Sequence, residues 1–337
     1  MRAVAYNIPQ PISAETSLID VDLPVPEATG HDLLVEIKAV SVNPVDVKVR
    51  AHMAPPADEL KVLGWDAAGI VRAVGADVTL FKPGDEVYYA GAINRPGSNA
   101  EFHLVDERIV GRKPKSLDFA AAAALPLTSI TAYEALFDRL KVQDPVPGAA
   151  RSLLIIGGAG GVGSIAIQIA HVLTDLTVIA TASRPETRVW VKELGAHHVV
   201  DHSKPLAAQI GALSIGAPGF VFSTTNTDSH IADIVESIAP QGRFALIDDP
   251  KVLDIVPFKR KAVSVHWELM FTRSLFSTPD MIEQHKLLNR ISKLVDTGKI
   301  RTTLTETVGT INAANLKKAH ARVESGRMKG KAVLAGF

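Results

Sequence analysis

The chain has 337 residues, 47 % of them hydrophobic, so it can bury a sizeable core and wholesale disorder is excluded. Lys plus Arg equals Asp plus Glu at 36 each, which leaves no charge excess to favour nucleic acid or a membrane surface as a partner. There is no cysteine, and that removes disulfides, thiolate-ligated zinc, iron–sulfur clusters and cysteine nucleophiles together.

The opening residues MRAVAYNIPQ lack the apolar run of about 7–15 residues that marks a signal peptide, and no window approaches the ~20 apolar residues of a membrane span. A cytoplasmic protein is expected. From 1 to about 125 the text is short strand-like runs broken by Pro and Gly: LLVEIKAVSV (33–42), GIVRAVG (69–75), DEVYYAG (85–91) and EFHLV (101–105). None of them holds a 3.6-residue period for long, which predicts a small β-barrel-like domain.

An Ala-rich helical stretch, FAAAAALPLTSITAYEALF (119–137), ends that rhythm. Strand candidates then recur at 152–156, 176–181, 198–200, 220–223, 243–247 and 262–266, with amphipathic stretches such as 186–194 and 229–239 between them. Strands alternating with helices predict a doubly wound parallel sheet. The tail reads helix (281–298), strand (302–309), helix (311–326), strand (330–337). Three regions are therefore expected: 1–125, a nucleotide-binding region 126–272, and a return to the first domain at 273–337. A nucleotide domain inserted into a split partner would leave a cleft for substrate.

The first strand of the α/β region runs into LLIIGGAGGVGSIAIQIA (153–170). Gly158, Gly160 and Gly163 stand in G-x-G-x-x-G register. The plain reading is a tight turn. The placement after a first strand and before a helix points instead to a dinucleotide phosphate site, lined by Gly158, Ala159, Gly160, Gly161, Val162 and Gly163. An acid about 20 residues beyond the glycines would accept from the ribose of NAD. Here the second strand ends IATASRPETR, with Ser183, Arg184 and Arg188 in place of the acid. A guanidinium pairs with a 2′-phosphate where a carboxylate repels it, so NADPH is expected.

SVNPVDVKVR (41–50), LGWDAAGIVRAVG (63–75), FKPGDEVYYAG (81–91), AAALPLTSITAYEAL (122–136) and GGAGGVGSIAIQIA (157–170) together resemble the medium-chain dehydrogenase/reductase superfamily, above all its zinc-free quinone oxidoreductase branch. The resemblance spans nearly the whole chain. It implies an α/β protein with a Rossmann doubly wound parallel sheet and a GroES-like β-barrel domain, NADPH as cofactor, and a homodimer joined through the sixth strand of each sheet. It places Thr131 against the coenzyme and His202 where relatives usually carry a tyrosine near the adenosine 2′-phosphate. The catalytic-zinc positions of the metal-dependent relatives fall on Asn43, Trp65 and Leu127, not a zinc-ligand set of the usual N/S type, so no metal is expected. Lys48 stands where many quinone reductases have a tyrosine.

Without a Lewis acid, an isolated ketone is a poor hydride acceptor, whereas a quinone or conjugated carbonyl spreads the incoming charge to an oxygen that hydrogen bonds can hold. The candidate site residues are Asn43 as amide donor, Asp46, Lys48 as a cation, Trp65 as a stacking wall, and Thr128. Each has a structural alternative: Asn43 and Asp46 can start and cap a helix, Lys48 can be solvated, Trp65 can be core. An enoyl-thioester or alkenal double-bond reductase is the alternative activity. An NADPH-binding sensor or structural protein with little catalysis is the alternative class.

Overall fold

The computed structural model describes residues 1–57 and 59–337, which divide into two compact units: 1–130 with 271–337, and 131–270. In chain order the first stretch holds β1 (Arg2–Tyr6), β2 (Ile19–Asp22), β3 (Asp32–Ser41), α1 (Pro44–His52), β4 (Lys61–Val62), β5 (Ala67–Val74), β6 (Glu86–Tyr89), β7 (Phe102–Asp106), β8 (Val110–Arg112), α2 (Phe119–Ala123) and α3 (Pro126–Tyr133), which runs on as a π-helical turn, Glu134–Arg139.

The middle stretch holds β9 (Ala150–Ile156), α4 (Gly161–Leu173), β10 (Thr177–Thr181), α5 (Pro185–Glu193), β11 (His198–Val200), α6 (Leu206–Ala212), β12 (Pro218–Ser223), α7 (Thr227–Ser237), β13 (Arg243–Leu246) and β14 (Ser264–Trp267). The tail adds α8 (Thr272–Leu275), α9 (Ile282–Asp296), β15 (Leu304–Gly309), α10 (Ala313–Glu324) and β16 (Lys331–Ala335). All six strands expected of the α/β region are present, the last starting two residues later than the apolar pattern suggested.

In the split unit, β3 is the organising strand. Leu33, Val35, Ile37 and Ala39 alternate inward along it, the period-2 pattern of a strand with one buried face. It pairs antiparallel with β5, β7 and β16, in a sheet ordered β15-β16-β3-β5-β6-β8 with β7 on β3. A second, three-stranded sheet is ordered β2-β1-β4. This is the GroES-like, mainly β part of the chain. The last strand thus completes a sheet that the first hundred residues begin.

The continuous unit is a six-stranded, all-parallel sheet ordered β11-β10-β9-β12-β13-β14. Leu154, Ile156, Ile179, Val200, Val221, Phe244 and Leu246 from its strands pack with Ile210 of α6 and Ile234 and Ile238 on the α7 side into one core. Fully buried β-branched and aliphatic runs are what a sheet covered on both faces requires. From β9 the chain winds outward on one side to β10 and on the other to β12. The end of β9 is therefore the topological switch point, where such sheets bind ligands.

The stretch Phe119–Arg139 is long and apolar enough to cross a bilayer by length alone, but 78 % of its apolar window is buried inside the protein. It is a core helix. Among the described residues the sheet's outer strand, β14, pairs with β13 alone, and Trp267 at its end and Leu269 just beyond are about half exposed.

Candidate functional site

The glycine turn lies at the end of β9, at the switch point. Gly157 has φ +81, in the left-handed region that glycine alone occupies freely. A Cβ on Gly163 would stand 2.2 Å from the Gly157 carbonyl oxygen and 2.7 Å from Gly158 Cα, so only glycine lets the first turn of α4 press against the end of β9. The Gly157 N–H donates to Thr181 Oγ1 (3.0 Å) and the Gly158 N–H to the Thr181 carbonyl (3.2 Å), tying the turn to the neighbouring strand. Gly160 is the N-cap of α4 and has no side chain to offer its first-turn N–H groups. Ala159, Gly160, Gly161 and Val162 are half-buried rather than sealed. Bare N–H groups at a helix N-terminus suit a phosphate.

At the end of β10, Ser183 Oγ lies 3.1 Å from His202 Nε2, and Thr181 Oγ1 lies 3.3 Å from His202 Nδ1. Arg184, the N-cap of α5, is half-buried beside them and pairs with Glu186 at 3.3 Å. Burial, with His230 and Arg184 nearby, pushes the His202 imidazole below its usual range, against the opposing pull of Asp201. Among the residues at this strand end, Arg188 departs from expectation. Its guanidinium turns back to the Ala182 (3.2 Å) and Val199 (3.4 Å) carbonyls, so it braces α5 on the strand ends. Thr131 is buried at the start of this unit, on α3.

The residues considered for chemistry fall in the other unit, where they form a buried polar cluster. Asn43, the N-cap of α1, is 1 % exposed. Its amide nitrogen donates to Asp66 Oδ2 (2.8 Å), and its amide oxygen accepts from Lys331 Nζ. Lys331 also donates to Asp66 Oδ2 (3.0 Å) and the Val42 carbonyl (3.0 Å), while Leu127 N–H donates to Asp66 Oδ1 (2.7 Å). Asp46 Oδ2 accepts from the Asn43 N–H (2.7 Å), the return bond of a capping box. Burial pushes Asp46 up to about 7, and the nearby Asp66 carboxyl adds to it, against the pull of the Asn43 N–H and the Lys331 ammonium. Burial likewise raises Asp66, opposed by Lys331.

Four of the five expected residues are therefore enclosed. Asn43 has both ends of its amide bound within the protein, so it is a positioning residue rather than a free amide donor. Trp65 is 1 % exposed, packed edge-on against Phe271 (centroids 6.1 Å, 74°), with its indole N–H on the Ala92 carbonyl (3.2 Å). It is a core residue rather than an open stacking wall. Thr128 is buried and donates to the Leu125 carbonyl (3.1 Å), and Lys48 is exposed on α1. Asp66 and Lys331, which hold the cluster together, were not singled out from the sequence. Asp66 lies inside a quoted motif, but Lys331 is 265 residues away and only the β16–β3 pairing brings it near.

A second buried acid group lies in the parallel-sheet unit. Glu268, just past β14, hydrogen-bonds Glu134 of the π-helical turn and accepts from Arg139 Nε (2.8 Å). Burial and the Glu134 carboxyl push it up to about 9.

A family model described as "Alcohol dehydrogenase GroES-like domain" matches residues 29–115, and one described as "Zinc-binding dehydrogenase" matches residues 194–334. Over 313 residues, 92 % of each chain, the sequence is 43 % identical to a zinc-type alcohol dehydrogenase-like protein of Staphylococcus aureus (strain MSSA476). It is 39 % identical over 201 residues to the 2-methylene-furan-3-one reductase of Solanum lycopersicum, 57 % of this chain and 50 % of that one. A crystal structure from Rhizobium etli CFN 42, named as of a zinc-dependent alcohol dehydrogenase protein, superposes with a TM-score of 0.99 at 70 % identity, covering 100 % and 98 % of the two chains. The quinone oxidoreductase of Coxiella burnetii superposes with a TM-score of 0.79 at 26 % identity, covering 100 % and 99 %.

The residues at the catalytic-zinc positions are not the usual zinc ligands of such names. The chain contains no cysteine, and among the described residues no group of three or more His, Asp or Glu side chains is placed to hold a metal ion. Asn43, Trp65 and Leu127 supply an amide already bound, an indole and an alkyl chain at the positions in question. The glycine turn does fit a dinucleotide, because a Cβ at Gly163 would fill the close approach on which the open first turn of α4 depends.

Proposed function

Because the chain belongs to the medium-chain dehydrogenase/reductase superfamily, in its quinone oxidoreductase-like branch, we propose that it is an NADPH-dependent reductase that passes hydride to a quinone or a conjugated carbonyl compound without zinc. The observation that carries this reading is the pairing of a bare glycine turn at the switch point with Ser183, Arg184 and His202 at the end of β10, where Ser183 and Arg184 stand in place of the expected ribose-binding acid. The first-turn N–H groups of α4 would hold the pyrophosphate, and Ser183, Arg184 and His202 the 2′-phosphate. The cofactor would supply the hydride; the chain supplies orientation and dry walls.

The enclosed Asn43–Asp66–Lys331 cluster is read as scaffolding. It fixes the start of α1 and the Trp65–Asp66 segment, so that substrate-facing backbone is held in one geometry. With no metal-ligating set among the described residues, charge developing on the acceptor oxygen would be held by hydrogen-bond donors, which favours acceptors that delocalise it. The tomato reductase and the Coxiella quinone oxidoreductase support small conjugated acceptors as the substrate class. We also assign a homodimer joined at the open edge of β14, where Trp267 and Leu269 are exposed. Following NADPH oxidation across quinones, enones, alkenals and acyl thioesters, with and without a strong chelator, tests the activity. Reduction of quinones or enones unaffected by chelation is expected; faster turnover of simple alcohols with NADP⁺, or zinc-dependent activity, would overturn it.

A further inference from the structure

His202 is held by two hydroxyl groups and by nothing of fixed polarity. A hydroxyl both donates and accepts. With a neutral imidazole, one ring nitrogen must accept from its hydroxyl. With both nitrogens protonated, Thr181 Oγ1 (3.3 Å from Nδ1) and Ser183 Oγ (3.1 Å from Nε2) both accept, and the pocket takes either state without moving an atom heavier than hydrogen. The two states differ outside the ring. When Nε2 donates to Ser183 Oγ, the Ser183 hydroxyl hydrogen is released to point elsewhere.

Resting on the NADPH reading, we propose that His202 is a proton-linked selector for the cofactor's 2′-phosphate. On NADPH binding the imidazole takes one proton from solvent at Nε2, the nitrogen that accepts from Ser183 in the neutral ring, and the Ser183 hydroxyl turns from the imidazole to the phosphate. A dianion placed beside Ser183 and Arg184 supplies the charge that favours the imidazolium. NADH brings no such charge and so takes up no proton.

The surroundings set the direction. From β10 come Thr181 and the adjoining Ser183; from the start of α5, Arg184, with Arg188 turned to the Ala182 and Val199 carbonyls; from α7, His230; from the loop after β11, Asp201 with Lys204 at 4.0 Å. Without ligand, burial, helped by the Arg184 guanidinium, outweighs Asp201 and holds His202 neutral at pH 7. His230 is itself held low by burial and does not supply a competing positive charge at neutral pH. The glycine turn is wired to the same hydroxyl, because the Gly157 N–H donates to Thr181 Oγ1.

The test is cofactor binding without turnover. Dissociation constants for NADPH and NADH are measured by fluorescence between about pH 6.5 and 8.5, and proton uptake by calorimetry in two buffers of different ionisation enthalpy. NADPH should bind about five- to tenfold more weakly at the alkaline end while NADH changes less than about twofold, since one proton accounts for at most tenfold per pH unit. The phosphate's own ionisation near pH ~6 acts in the opposite sense and lies below this window. His202→Gln should flatten the NADPH profile; His202→Tyr is the second variant, and the His202 ring signal in the NMR spectrum of wild type reports its charge with each cofactor. NADPH preferred over NADH at every pH, with a flat profile and no proton uptake, would overturn the selector while leaving NADPH as the cofactor. Equal binding of the two cofactors throughout would remove the reading beneath it as well.

Discussion

Asp46 sits in the interior with its Oδ1 unmatched by a hydrogen-bond donor among the described residues, and burial brings its ionisation to about 7. Its folded-state value lies above that of the unfolded chain, so its contribution to stability is whole below about pH 4, declines as pH rises, and is lost by about pH 7, at no more than ~1.4 kcal/mol per pH unit. Thermal melts of Asp46→Asn should therefore show a flatter pH dependence across that range than wild type; an unchanged slope would move the titration elsewhere. Lys331 meets the opposite hazard. Lys331→Met strands Asp66 as a buried charge and should cost about 3–5 kcal/mol, much of it recovered in Asp66→Asn/Lys331→Met. If the double variant is as unstable as the single, the pair is not the source. At the cofactor end, Arg184→Ala should weaken NADPH by about 10- to 100-fold and NADH little, as one lost charge-assisted contact implies; equal weakening of both would count against a phosphate contact.

Elements carry the next level of the argument. The β9–turn–α4 unit works because two segments touch where a side chain would stand, so Gly163→Ala must push α4 away from the Gly157 carbonyl. Overpacking of this kind costs about 1–3 kcal/mol, and nucleotide affinity should fall by more than tenfold, read by the same fluorescence titration. This unit was legible from the text because its signal is local: apolar run, glycines, apolar helix. The β10 end was legible for the same reason, as the missing acid is a matter of spacing. The Asn43 cluster was not. Asn43, Asp46 and Trp65 were found by motif, but their roles depend on Lys331 and Leu127, which no local pattern connects to them, and burial turned an expected donor and an expected wall into interior supports. Arg188 shows the same limit, since a helix-start arginine can face a ligand or the strand ends with no change in sequence. At the sheet edge, Trp267→Arg should shift the protein toward monomer in sedimentation experiments if β14 joins two copies.

For the molecule as a whole, one feature sets a schedule. The parallel-sheet unit is drawn from a single unbroken stretch, 131–270, whereas the other needs both 1–130 and 271–337. Its sheet is closed by β16 against β3, with Val333 opposite Ser41, and its buried charges balance only when Lys331 reaches Asp66 and Asn43. Synthesis runs from the first residue to the last. Residues 1–130 thus leave the ribosome before 131–270 yet become native after them: they must wait, with β3 one partner short and Asp66 uncompensated, while the later-made α/β unit can already fold as a body. A nascent chain arrested after about residue 300 should yield a protease-resistant fragment from 131–270 and a degradable first hundred residues, the reverse of the usual order in which the amino-terminal part is secured first.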